Sequence, residues 1–154
     1  MSHERALPSG LRSYLFAPGN HPRKVAKVFA AGADAVLLDL EDAVPIAEKE
    51  STRAAVVEAM RAPRAVRGYI RVNGLETAWC ADDIACVVGH GVDGIVLPKI
   101  ESAEQVRAAA AFIAMNIKSY LDPCAVGPCT SISCHHMAQA SGSVVCCSKS
   151  SARI

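Results

Sequence analysis

Residues 35–42 are AVLLDLED. The run Ala35-Val36-Leu37-Leu38 suits a strand covered on both faces, as in parallel sheets. Asp39, Glu41 and Asp42 do not suit such a strand, because an unpaired buried charge is costly. They suit its end, where the chain leaves the sheet for a rim. If so, other strands should be of the same kind and should end in the same way.

Upstream, residues 11–17 (LRSYLFA) form an apolar run broken by Pro18-Gly19-Asn20. A helix is expected next, with Pro22 in its first turn, where a missing N–H costs nothing. Val25, Val28 and Phe29 make its apolar stripe and Gly32 ends it. Downstream of AVLLDL, a helix is expected over residues 46–60, then a strand over 68–72 (GYIRV). Ile84, Val87 and Val88 mark a short helix, and residues 94–98 (GIVLP) a fourth strand. Ser102 followed by Gln105 is a capping-box signature for a fourth helix, lined by Val106, Ala110 and Ile113.

The order is therefore βαβαβαβα. Strand starts near residues 11, 35, 67 and 94 give a repeat of roughly 28 residues, and eight repeats make the roughly 230–250 residues of a (β/α)8 barrel. Four units are present. A flavodoxin-like open sheet is fed by the same alternation, and periodicity does not separate the two.

Composition bounds the rest. The chain has 154 residues, 51% of them hydrophobic, and a formal net charge of +1, which gives no electrostatic argument for nucleic acid or an anionic membrane. No apolar run approaches the roughly 20 residues of a spanning helix. MSHERALPSG has no apolar segment of the secretory type, so a cytoplasmic protein is expected. Of the 31 charged residues, 27 fall in 1–115, whereas 116–154 hold four, with eight serines and five of the seven cysteines. The expected organisation is an N-terminal extension (1–10), a βα domain (11–115) and an unrelated, poorly structured tail (116–154). In that tail Cys124, Cys129, Cys134 and His135-His136 are poorly spaced for zinc.

In either architecture, ligands sit at the carboxyl ends of the strands. Those ends carry Asn20, then Asp39, Glu41 and Asp42, then Arg71 and Asn73, then Lys99 and Glu101. Asp39 reads equally as the cap of a local turn, Asp42 as an N-cap, and Glu41 with Arg71 as a plain ion pair. Charge at every strand end is harder to explain by stability alone, since a buried pair does not reliably stabilise. Arg71 offers a bidentate fork for a carboxylate and Lys99 a second cation. Glu41 and Glu101 suit orienting these cations or holding a hydrated divalent cation. Together they point to chemistry on a small keto acid.

RSYLFAPGNHPRKVAKVFAAGADAVLLDLEDAVP, then YIRVNG, then GIVLPKIES, resembles the citrate lyase beta subunit-like family of the HpcH/HpaI aldolase and CoA-ester lyase superfamily. The likeness covers residues 11–115, the N-terminal half of such a protein. It implies a partial TIM barrel, a trimer or hexamer for the full-length family, and a Mg2+-dependent lyase. Such an enzyme cleaves a 3-hydroxyacyl-CoA, such as citryl-CoA or malyl-CoA, to an acyl-CoA and a keto acid. Arg71 then binds the keto acid carboxylate and Glu41 lies beside the substrate as a catalytic residue. Lys99 and Glu101 organise the site, and Arg12 and Asn20 lie where the CoA-side loop begins.

Past Phe112-Ile113 the likeness stops. The Glu-Thr and Gly-x-x-Asp-Leu motifs that supply the family's Mg2+ ligands have no counterpart in 116–154. Metal ligands are thus expected to be missing from this chain, and the chain to be inactive. The alternatives are a class II aldolase acting on pyruvate without CoA, and a non-catalytic remnant.

Overall fold

The computed structural model describes residues 10–121 and 143–146. Strands β1 (Tyr14–Pro18), β2 (Ala35–Asp39), β3 (Arg67–Arg71) and β4 (Gly94–Leu97) alternate with helices α1 (Pro22–Phe29), α2 (Lys49–Arg61), α3 (Cys80–Val87) and α4 (Ala103–Leu121). A 3-10 turn, Ile46–Glu48, precedes α2. All strand pairs are parallel and the order is β1-β2-β3-β4. This order decides between the two architectures. A flavodoxin-like sheet places its first strand inside the sheet, in the order 2-1-3-4-5. Here each strand lies beside its sequence neighbour, as in a sector of a (β/α)8 barrel.

Side chains alternate across the sheet. Val36, Leu38, Ile70, Ile95 and Leu97 face the helices and share a core with Val56, Met60, Ile84, Val87 and Ile113. Ala35, Leu37, Tyr69 and Val96 form a second, smaller cluster on the opposite face. There the small Ala35 lets the Tyr14 and Tyr69 rings approach to 5.9 Å across β2. Both faces of β2 are thus covered, and all five of its residues are buried. Edge strand β1 differs. Tyr14, Leu15 and Phe16 are 44%, 41% and 49% exposed, a consecutive apolar run on a strand with one neighbour.

The local signals act as expected. Pro22 opens α1. Ser102 and Gln105 close a reciprocal box: Ser102 Oγ accepts from Gln105 N at 3.2 Å, and Gln105 Oε1 accepts from Ser102 N at 3.1 Å. The stripe of α4 departs by one residue, because Ala109, not Ala110, is buried with Ile113. Helix α4 also continues to Leu121, past the composition change. Ser143–Cys146 adds a strand, β5, parallel to β4. Its two β-branched valines and the free edge of β4 explain a pairing too short to show as periodicity. The cysteine and histidine group at 124–136 lies outside the described residues.

Gly19 packs the first strand end against α2. A Cβ there would meet Val56 Cγ1 at 2.5 Å, the Asp39 carbonyl oxygen at 2.8 Å and Thr52 Cγ2 at 2.9 Å. Backbone cannot yield as a side-chain tip can. Gly19→Ala is expected to cost about 1–3 kcal/mol, read from urea unfolding, as overpacked interiors do. A cost below about 0.5 kcal/mol would show that the turn relaxes freely.

Candidate active site

The rim at the C-terminal strand ends is built around Asp39, which is only 1% exposed. Register places Asp39 directly beside Arg71. The pair is bidentate: Arg71 Nε donates to Oδ1 at 2.7 Å and Nη2 to Oδ2 at 2.6 Å. Asp39 also accepts from the backbone N–H of Glu41 at 2.9 Å and of Ala43 at 3.0 Å. It therefore closes the turn and anchors the arginine at once. Arg71 also lies over the Phe16 ring, 5.3 Å from its centroid.

Glu41 is buried between two cations. Its Oε1 lies 2.8 Å from Lys99 Nζ, and its Oε2 lies 3.2 Å from Arg71 Nη1. Oε2 is buried and accepts no hydrogen bond among the described residues, so it keeps capacity for a further donor. Lys99 adopts a left-handed backbone, φ 54°, uncommon for a residue with a Cβ. Such conformations cost of order 1–3 kcal/mol and persist where the surroundings impose them. This one sends the lysine to Glu41, and Asp42 lies 3.5 Å from the same ammonium. Asp42 is exposed and does not cap a helix; the turn before α2 is capped by Pro45, without a side-chain bond.

The other expected residues are placed differently. Asn20 donates to Glu48 Oε2 at 2.7 Å, which ties the β1 end to the turn before α2. Glu101 is exposed just ahead of α4, and its backbone N–H donates to Gln105. Arg12 lies at the opposite rim, ahead of β1, where its backbone N–H donates to Asp34. That rim is held by structural acids: Asp34 binds Arg12 and Ser13, and Asp93 binds Arg64, Arg67 and the N–H of Gly68.

Sequence reasoning placed Asn73 at a strand end but missed Lys49, Asp83 and the layer the three form beneath the rim. Lys49, Asn73 and Asp83 are buried. Lys49 Nζ donates to the carbonyls of Leu40 (3.0 Å) and Glu41 (2.7 Å) and to Asn73 Oδ1 (2.6 Å). Asn73 donates through Nδ2 to Asp83 Oδ2 at 2.6 Å, and Arg53 Nε donates to Asp83 Oδ1 at 2.7 Å. A helical wheel carries the signal, since Lys49 shares a face with Thr52, Val56, Val57 and Met60, and Asp83 with Cys80, Ile84 and Val87.

Burial pulls Lys49 below its usual range, with Asp83 and Asp39 opposing. For Asp39, burial raises the carboxyl pKa, but the Arg71 hydrogen bonds and the Glu41 N–H outweigh it and hold the group below its ordinary value. A carboxyl depressed in the folded state stabilises above its unfolded pKa, near 3.9, and that contribution is lost as pH falls through the folded value. Unfolding free energy is thus expected to fall as pH drops below about 4. Asp39→Asn should flatten that part of the profile; an unchanged slope would remove Asp39 as its source.

A buried carboxylate locking an arginine, beside a second carboxylate between two cations, lies at the C-terminal rim of a parallel βα sector, the place where α/β barrels hold their active sites. The family described as HpcH/HpaI aldolase/citrate lyase matches residues 12–120. The chain is similar to the citrate lyase subunit beta of Leuconostoc mesenteroides subsp. cremoris, 39% identical over 104 residues, covering 66% of this chain and 34% of that one. It is similar to a (3S)-malyl-CoA thioesterase of Cereibacter sphaeroides, 39% identical over 105 residues, covering 66% and 36%. Among solved structures it resembles the citrate lyase beta subunit of M. tuberculosis complexed with oxaloacetate and magnesium. There the TM-score is 0.55 and the identity 40%, over 63% of this chain and 42% of that one. The chain belongs to the HpcH/HpaI aldolase/citrate lyase family. It spans about a third of the length of these curated relatives.

Magnesium accompanies the M. tuberculosis neighbour. Among the described residues of this chain, no group of three or more His, Cys, Asp or Glu is placed to hold a metal ion. Asp39 and Glu41 are already matched to Arg71 and Lys99. The described residues therefore do not fit a magnesium site by themselves. Among them, no helix is long and apolar enough to cross a membrane.

Proposed function

We propose that this chain carries the keto acid-binding part of a CoA-ester carbon–carbon lyase. The reaction of such a site cleaves a 3-hydroxyacyl-CoA, citryl-CoA or malyl-CoA in type, to an acyl-CoA and a keto acid. The observation that carries the proposal is the Arg71 guanidinium. One edge is locked on buried Asp39, while Nη1 stays outside that pair, 3.2 Å from Glu41 Oε2. A guanidinium fixed in this way is preorganised for a second carboxylate and loses little entropy on binding it. Lys99 adds positive charge beside it, and Glu41 holds the two cations in place.

The citrate lyase and malyl-CoA names of the relatives support the CoA-ester branch, and oxaloacetate in the M. tuberculosis structure supports a keto acid ligand. Mg2+ is the cofactor that reading implies. The described residues do not fit it, so they are assigned binding and orientation alone. Calorimetric titration of the purified 154-residue chain with oxaloacetate tests the reading. Saturable binding that Arg71→Lys weakens is expected, without cleavage of citryl-CoA or malyl-CoA to an acyl-CoA and a keto acid. No saturable binding overturns the keto acid site; magnesium-dependent CoA-ester cleavage overturns the restriction to binding.

A further inference from the structure

We infer that Lys49 is a positioning residue, whose ammonium fixes the backbone on both sides of Glu41 and thereby sets where the Glu41 carboxylate stands between Arg71 and Lys99. The inference rests on the keto acid reading for its functional consequence, but the contact itself does not.

Lys49 is only 6% exposed, and among the described residues it forms no ion pair. Burying an ammonium without a touching counter-ion is costly, and a hydrophobic residue of similar volume is often no worse for stability. The lysine's three donors instead meet three neutral acceptors, the carbonyls of Leu40 and Glu41 and the amide oxygen of Asn73. Those two carbonyls belong to the peptide groups before and after the Glu41 Cα. The N–H of the first of these peptides donates to Asp39. Glu41 is therefore held from above by the Asp39 carboxylate and from below by the Lys49 ammonium, and neither peptide plane can turn without breaking a charge-assisted bond.

The anchor of this grip lies in the helices. Asn73, which orients Lys49, also donates to the Leu40 carbonyl, at 3.0 Å, and is itself fixed by Asp83, which Arg53 holds. The Lys49 ammonium lies 5.5 Å from the Trp79 ring centroid, which closes its remaining side. The chain of contacts runs from Arg53 on α2 through Asp83 on α3 to the loop that carries Glu41. A residue serving only to dock α2 would not need to converge on the two carbonyls that flank one carboxylate.

The test compares Lys49→Met with Val57→Ala, which removes buried packing on the same helix without touching Glu41. Amide exchange at Glu41 is followed by NMR and oxaloacetate binding by calorimetry. Lys49→Met is expected to speed Glu41 exchange tenfold or more and to weaken oxaloacetate binding about tenfold. Val57→Ala should leave both within about twofold after correction for its own loss of stability. If Lys49→Met does not fold, Lys49→Gln, which keeps an N–H donor, is measured instead, with an intermediate effect on both readouts expected. Unchanged Glu41 exchange in whichever variant is folded overturns the positioning role. That readout needs no ligand, so it stands apart from the keto acid reading, whose own failure shows as oxaloacetate binding indifferent to Arg71→Lys.

Discussion

Asp83→Ala is expected to lower the unfolding free energy by about 3–5 kcal/mol, the range found when one partner of a buried ion pair is removed. Asp83 is fully buried. One carboxylate oxygen accepts from Arg53 Nε at 2.7 Å, and the other from Asn73 N at 3.0 Å and Nδ2 at 2.6 Å. Truncation strands a largely buried guanidinium and an asparagine N–H together. Among the described residues Arg53 then keeps an exposed Asp82 at 3.8 Å and a 3.4 Å bond to the Trp79 carbonyl. Domains are typically stable by only 5–15 kcal/mol, so such a loss removes much of the margin. Urea unfolding followed by circular dichroism measures it. A change below about 1 kcal/mol would show that water replaces the carboxylate without penalty.

Arg71→Lys is expected to weaken oxaloacetate binding by about 10- to 100-fold. Charge-assisted hydrogen bonds are worth about 1.5–3 kcal/mol, and about 1.4 kcal/mol is a factor of ten in affinity. Arginine reaches Asp39 with Nε and Nη2 and still has Nη1 outside that pair, 3.2 Å from Glu41 Oε2. Lysine has one nitrogen. Spent on Asp39, it leaves the ligand unserved; turned to the ligand, it leaves a buried carboxylate with two backbone donors and no cation. Either result separates the substitution from a simple loss of charge, because the net charge is unchanged. Affinity within twofold of the parent would remove Arg71 from the binding site.

Much of the rim was legible in the chain itself. AVLLDLED placed Asp39 and Glu41 at a strand end, GYIRV did the same for Arg71, and the structure puts all three in one cluster with Lys99. Asp39 was the residue least well read. It was read as the cap of a local turn, with the ion pair to Arg71 given to Glu41, yet one carboxylate has two oxygens with several lone pairs, and Asp39 both closes the turn and holds Arg71. Arg12 stood close to a strand in the sequence but at its wrong end for the rim. Lys49 and Asp83 resembled ordinary charges on helices, because residue type alone suggests solvent exposure; only their faces give them away.

The sequence by itself determined the strands, their charged carboxyl ends and the Ser102–Gln105 cap, since these depend on neighbours within about one helical turn and on the apolar pattern. Tertiary structure alone decided the sheet order, the left-handed Lys99 and the network below Glu41. Asp39 meets Arg71 across 32 positions, Asn73 meets Leu40 across 33, and Lys99 meets Asp42 across 57. Such contacts exist only after parallel strands have paired in register, and the same βα alternation is compatible with more than one pairing.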